Sequence, residues 1–279
     1  MQTLFRDDYL KYFKMVERLD EKAARQIAEN NKVSAFGVMD KLKVWNRPSN
    51  ETITIVDGVK RYEPFWFAAA ERVITYKMIS SYSVDIKNTD AQKIEINGTH
   101  YEVKGDKVHI PVTEHCESKK SHIAHVYGVQ RDVSKKEIIE FLEKHSSEQQ
   151  ELSFEEVMQD NLLIQPEKKL ASILHAVEKE LAHAVNASEV VEDTLTFDKV
   201  YLYYHPVYAF ECLWQGKSAV LEVDGLNGKP IGGGRMKKEM LNIVKDPDFL
   251  MDVAGDAMDI VIPGGRLPLT ILKRLRDAK

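Results

Sequence analysis

Three groups of residues have the types and spacing to support chemistry. The first is His115, Cys116, His122 and His125. Imidazole and thiolate are zinc ligand types, and a His-x-x-His spacing places two ligands on one face if the segment is helical. The flanking sequence HIAHVYG reads instead as a strand, in which His122 and His125 point to opposite faces. The second group is Gly232, Gly233 and Gly234, followed by Arg235, Lys237 and Lys238. Glycines let backbone amides converge on an anion, and the cations would complete a phosphate site. The Gly-Lys-Ser/Thr ending of a P-loop is absent, as is the spacing of a dinucleotide fingerprint. The third group is the basic end of the chain, LPLTILKRLRDAK, where Lys273, Arg274, Arg276 and Lys279 alternate with leucines. A helix from about 268 to 276 would be amphipathic and could lie on an anionic membrane surface or dock on its own domain.

No Ser-His-Asp order, nucleophile elbow or metalloprotease motif accompanies these groups, so the sequence assigns no catalytic residue. Aromatic residues are dense in Tyr62, Phe65, Trp66 and Phe67 and again in Tyr201, Tyr203, Tyr204 and Tyr208. Few cations lie among them, so they read as packing rather than as a stacking platform for bases.

The elements that must position these groups follow from periodicity. Residues 5–30 place Tyr9, Phe13, Val16, Ala23 and Ile27 at helical spacings, predicting an amphipathic helix. From Glu51 to Thr113 the pattern becomes short β-like runs, with Asn97-Gly98 as a two-residue hairpin signal. Ser134 with Glu137 and Ser153 with Glu156 form capping boxes. Leu170, Ile173, Leu174, Val177 and Leu181 give a helical face. From Asp193 the runs TLTF, VYLYY, YAFECLW and SAVLEV read as separate strands, with a turn at Gln215-Gly216. The polar stretch HSSEQQE places a boundary near residue 148, separating an N-terminal unit 1–148 from a C-terminal unit 149–279 with terminal helices.

An internal similarity supports two units. Glu51-Thr-Ile-Thr-Ile and Asp193-Thr-Leu-Thr-Phe are related by a constant offset that also aligns Tyr62 with Tyr204, Pro64 with Pro206 and Trp66 with Tyr208. The expected fold is therefore α+β: two repeated helix-plus-antiparallel-sheet units about a pseudo-twofold axis.

Residues 170–233 carry a helix, LASILHAVEKEL, then Tyr208, Phe210, Gly216, Val220, Val223, Asp224, Gly228 and Lys229 in a hairpin pattern. This segment resembles a PepSY-type module. The resemblance implies a small non-catalytic module that binds or restrains a partner protein, and it transfers no catalytic residue.

Composition bounds the rest. The chain has 279 residues and a formal net charge of −5, with 43% hydrophobic residues. Mild acidity argues against nucleic acid as a partner. Two cysteines are no disulfide framework, and no signal or spanning segment is legible, so the expected setting is a reducing cytoplasm. The leading expectation is a non-enzymatic protein that binds another protein or itself, without a cofactor. A phosphate- or metal-binding enzyme built on Gly232–Arg235 or on His115, His122 and His125 is the alternative, and a membrane-peripheral protein is the third.

Overall fold

The computed structural model describes residues 1–37, 47–130 and 135–233. Strands take up 51% of them and helices 21%. The chain is therefore mostly β, and its strands form one large mixed sheet of eight members. This overturns the expected α+β fold of two helix-plus-sheet units. The reason is local: runs that read as separate short strands are continuous. The stretch 51–85 forms β3, Thr54–Asp85, and the runs from Glu189 to Trp214 fuse into β8. Asp57-Gly58, a pair of turn-forming type, lies inside β3, where the register with β8 slips by one residue instead of reversing.

β3 and β8 pair antiparallel from Thr54↔Leu213 to Lys77↔Glu189. Outside β3 lies β6, Lys107–Tyr127, paired from Phe65↔Tyr127 to Asp85↔Lys107. The other edge of β8 is shared end to end by three strands: β1, Gln2–Phe5, β2, Leu10–Lys14, and β9, Lys217–Asp224. β1 and β2 run parallel to β8. β7, Gln150–Leu152, then pairs with β2, and β10, Pro230–Gly232, with β9. Strands from both sides of residue 148 thus share the sheet. The polar stretch around that residue is anchored: Gln149 is buried and its Oε1 accepts from Val16 N at 3.1 Å.

The predicted helix over 5–30 is replaced by β1, β2 and then α1, Glu21–Asn31. Asp8 takes a positive φ of 55° between the strands, and Asp20 caps the helix by accepting from Ala23 N at 2.7 Å. The free edge of β8 pairs with the backbone of the segment and overrides its helical spacing.

Other expectations hold. Ser153 and Glu156 form a reciprocal capping box at α3, Phe154–Gln159. Asn97-Gly98 and Gln215-Gly216 turn with both φ angles positive, joining β4 (Lys93–Ile96) to β5 (Thr99–Glu102) and β8 to β9. The helix at Leu170–Leu181 is present and is α4 here; α2 is Lys136–His145. Ser134 lies outside the described residues.

The helices sort onto two faces. α1 packs Ala24 and Ala28 on Tyr208, Phe210, Cys212 and Trp214. α4 packs Leu170, Ile173 and Val177 on Trp66, Ala68 and Leu202 of the same face. α2 covers the opposite face with Ile138 and Leu142 against Phe65 and Tyr203. Arg72 ties α4 to the sheet: Nε and Nη2 each donate to Asp193 at 2.8 Å, and Nη1 donates to the Leu181 and His183 carbonyls.

The two Tyr-x-Pro segments do not sit in separate sheets; they pair with each other. Tyr62 lies opposite Pro206, and Pro64 opposite Tyr204. At each proline a glycine closes in. Gly128 N donates to Pro64 O at 2.8 Å, and Gly225 N to Pro206 O at 2.9 Å. A Cβ on Gly128 would stand 2.7 Å from Pro64 Cγ, and one on Gly225 2.8 Å from Pro206 Cβ. Gly128→Ala and Gly225→Ala should each lower unfolding stability by about 1–3 kcal/mol through overpacking. Gly37→Ala, with nothing near its Cβ, should change it little. Urea denaturation of the three variants decides; equal midpoints for all three would show that the close approach carries no energy.

Candidate functional site

Five buried polar side chains gather where the two Tyr-x-Pro segments cross. On the α2 face, Glu63 lies opposite His205, and Arg61 opposite Val207, which in turn faces Asp224. Arg61, Glu63, His205, Glu222 and Asp224 are all buried. Alternation along the strands places all five on one face. Arg61 donates to Glu63 Oε1 from Nε at 2.9 Å and from Nη2 at 2.7 Å, and also to Glu222. His205 Nε2 is 3.1 Å from Asp224 Oδ1, close enough for an ion pair but not aligned as a hydrogen bond.

Asp224 also shapes the turn after β9. Its Oδ1 accepts from Leu226 N at 2.8 Å and Asn227 N at 3.3 Å, and Gly228 takes a φ of 73°. This turn and α2 form the walls of an open cleft of about 550 Å³, lined by Glu137, Phe141, His145, Asp224, Asn227 and Lys229. Across it, Lys229 Nζ donates to Glu137 Oε1 at 2.6 Å and Asn227 Nδ2 to Glu137 Oε2 at 2.7 Å.

A second polar centre lies on the opposite face of the same crossing, the one that α1 and α4 cover. Glu17, between β2 and α1, accepts from Tyr62, from Tyr208 at 2.7 Å and from Lys60 at 2.9 Å. Partial burial raises its carboxyl pKa, but the three donors outweigh that and hold it below the ordinary carboxylate range. Burial first, and the hydrogen bond to Glu17 second, push both phenols above the ordinary tyrosine value. These phenols stay protonated and act as donors.

A catalytic base must reach a substrate proton, and His205 is only 1% exposed. Both centres join strands and loops distant in sequence, which is structural work.

The groups singled out by spacing fare differently. His115, His122 and His125 all lie on β6, opposite Lys77, Ala70 and Phe67. His115 and His125 stand ten residues apart on one extended strand, roughly 33 Å. The three therefore do not converge, and the described residues hold no group of three metal-ligating side chains. His125 lies beside the rings of Phe65 and Phe67, and burial, then Lys135, lowers its pKa. Gly232 is required by packing, since a Cβ there would overlap the Ser34 carbonyl. Gly233 has a φ of 79°, and its amide donates to Val220 O at 3.1 Å. Gly234, Arg235, Lys237 and the basic segment 268–276 lie outside the described residues. No described helix is long and apolar enough to cross a membrane.

What sequence reasoning missed is the buried charge cluster. Arg61, Glu63 and Glu222 alternate with apolar neighbours as solvent-facing residues of a half-buried strand would. The exposed surface of the β3–β6 ribbon was also missed. Beyond Lys77↔Glu189, β3 leaves β8 behind and continues with β6 alone to Asp85, about 25 Å further. Ile79 is 70% exposed there, Tyr82 54% and Val84 44%.

No family model, curated protein or solved structure matches the chain.

Two outcomes are expected from these centres. Arg61→Met leaves Glu63 and Glu222 buried without their shared cation and should cost about 3–5 kcal/mol, whereas Arg61→Met with Glu63→Leu and Glu222→Leu should recover most of that loss. Chemical denaturation of both variants tests it; a triple variant no more stable than the single one would mean the charges are not coupled. For Glu17, a lowered native pKa means its stabilisation is complete above the unfolded carboxylate value and is lost as pH falls through the native value. Glu17→Gln should therefore cost about 1–3 kcal/mol at pH 7 and flatten the acid limb of stability against pH. An acid limb as steep in Glu17→Gln as in the parent chain would exclude the assignment.

Proposed function

We propose that this chain is a non-enzymatic protein-interaction protein whose binding element is the projecting β3–β6 ribbon. One observation carries the reading. Ile79, Tyr82 and Val84 are exposed on a two-stranded extension that contributes nothing to the sheet beneath α1, α2 and α4. Two strands alone bury too little to be independently stable, so an apolar extension of this kind has a reason to exist only if something packs on it. The small β4–β5 hairpin sits at its end and gives it a shaped tip.

The PepSY-like reading of residues 170–233 belongs to the same proposal. It is supported by α4, the β8–β9 hairpin and the Asp224 turn, each at the expected place in the segment. In this chain α1 packs on that hairpin, while α4 packs on β3 and β6. The segment therefore acts as part of the larger sheet. A reducing, cytoplasmic setting fits Cys116 and Cys212, both of which carry free thiols. The partner is another protein or a second copy of this chain.

A photo-crosslinking residue placed at Ile79 in the full chain should give a discrete adduct in its native cell, lost on Ser81→Glu with Ser83→Glu, which stand on the same face of β3. The same probe at exposed Lys22 supplies the background. An Ile79 pattern indistinguishable from the Lys22 pattern would remove the ribbon as the binding element.

A further inference from the structure

We infer that β6 is a self-recognition edge, on which a second copy of this chain adds its own β6 antiparallel, with the twofold axis at Ser118. The inference rests on the interaction-protein reading and names the partner.

Among the described residues β6 pairs with β3 alone, so its outer edge is open. Two hydrogen bonds fix which residues face outward. Gly128 N donates to Pro64 O on the β3 side, whereas His125 O turns away from β3 and accepts from Lys135 Nζ at 2.7 Å. Direction alternates along an antiparallel strand. The odd-numbered residues Thr113, His115, Glu117, Lys119, Ser121 and Ile123 therefore present their amides and carbonyls along the free edge, and all six side chains are exposed.

The usable stretch is bounded at both ends. Pro111 has no amide to donate, and the His125 carbonyl is already occupied. These two limits are equidistant from Ser118. Edge pairing about that centre sets Glu117 opposite Lys119 of the second copy, twice per dimer, with His115 opposite Ser121 and Thr113 opposite Ile123. A centre one residue away in either direction sets Glu117 against Glu117, or Lys119 against Lys119. Opposite charges facing across strands are favourable and like charges are not, so charge selects the same register that the ends allow. Lysine on an edge ordinarily repels other strands. Here the second copy brings a carboxylate to it. Within the chain, Lys119 Nζ already lies 2.8 Å from Glu71 Oε1, so it would join two carboxylates. A twofold contact uses this edge once in each copy and closes at a dimer.

Light scattering on the full chain should give twice the 32.0 kDa chain mass at micromolar concentration. Glu117→Lys should raise the dimer dissociation constant about tenfold or more, and Glu117→Lys with Lys119→Glu and Glu71→Gln, which removes the carboxylate that Lys119 faces within its own chain, should restore it. Ser118→Cys in a Cys116→Ser background should form an intermolecular disulfide with diamide, because facing residues of a non-hydrogen-bonded pair lie within disulfide reach. A monomer at all concentrations, or a dimer indifferent to the charge swap and without the crosslink in the Ser118→Cys variant, overturns the inference. If the Ile79 crosslink to another protein persists in that case, the interaction reading stands and only the identity of the partner has failed; loss of both removes the two together.

Discussion

The register of β3 on β8 is the constraint from which the rest of the structure follows, and two prolines set it. Pro64 and Pro206 have no amide hydrogen, so each needs a place where a ladder can lack one donor. Both find it at a strand exchange. On β3, β6 ends beside Pro64 and Tyr62 turns to Leu162 and Ile164: Tyr62 N donates to Leu162 O at 2.8 Å, and Ile164 N to Tyr62 O at 2.9 Å. On β8, β9 ends beside Pro206 and β2 takes over at Tyr204. The missing donor at each proline thus coincides with the gap between two neighbours. Gly128 and Gly225 let the departing strands approach closely enough to use the proline carbonyls. Moving the register by one residue would carry every side chain of one strand to the opposite face relative to the other.

That crossing explains where the charges went. A sheet covered on both faces at its middle must bury whatever its strands carry there. Arg61, Glu63 and Glu222 survive burial because one guanidinium serves two carboxylates. Glu17 survives because three donors converge on it. The same polar groups specify the register, since a slipped pairing would leave a buried charge without its partner, at a cost of several kcal/mol. Such centres look like chemistry when viewed as a collection of titratable side chains. Their burial and mutual satisfaction mark them as parts of the frame.

How much of this was legible in the sequence depended on the range of the signal. Local chemistry was read correctly where it is self-contained: the Asn97-Gly98 and Gln215-Gly216 turns, the Ser153–Glu156 box, and the helix with its face at Leu170, Ile173 and Val177. The similarity of the two Tyr-x-Pro segments was legible, but not that they would face each other in one sheet. That is a long-range pairing, and nothing in either segment names its neighbour. The N-terminal segment was misread because Tyr9, Phe13 and Val16 satisfy a helical spacing, while the open edge of β8 that captures them lies about 190 residues away in sequence. The histidines of β6 were drawn together by proximity in sequence, and an extended strand separates them instead. The fusion of short runs into β3 and β8 was hidden because a bulge and a turn share the same Asp-Gly signature.

The long strands that result leave the molecule with an unusual balance between frame and edge. β3 has strand neighbours on both sides from Phe65 to Lys77, yet its last eight residues have β6 as their one strand neighbour among the described residues. Ordering such an extension costs backbone entropy at every residue, and cross-strand pairs such as Ile79↔Thr113 and Val84↔Val108 return only part of it. The tip compensates locally, since Val108 is fully buried where β4 and β5 fold back beside the ribbon. Between the buried tip and the buried crossing lies the stretch where apolar side chains and open backbone face outward together. A sheet built only for stability would shorten or cover that stretch. Keeping it extended follows if the stretch meets other chains, and the two proline-marked exchanges at the crossing hold its root in place while it does so.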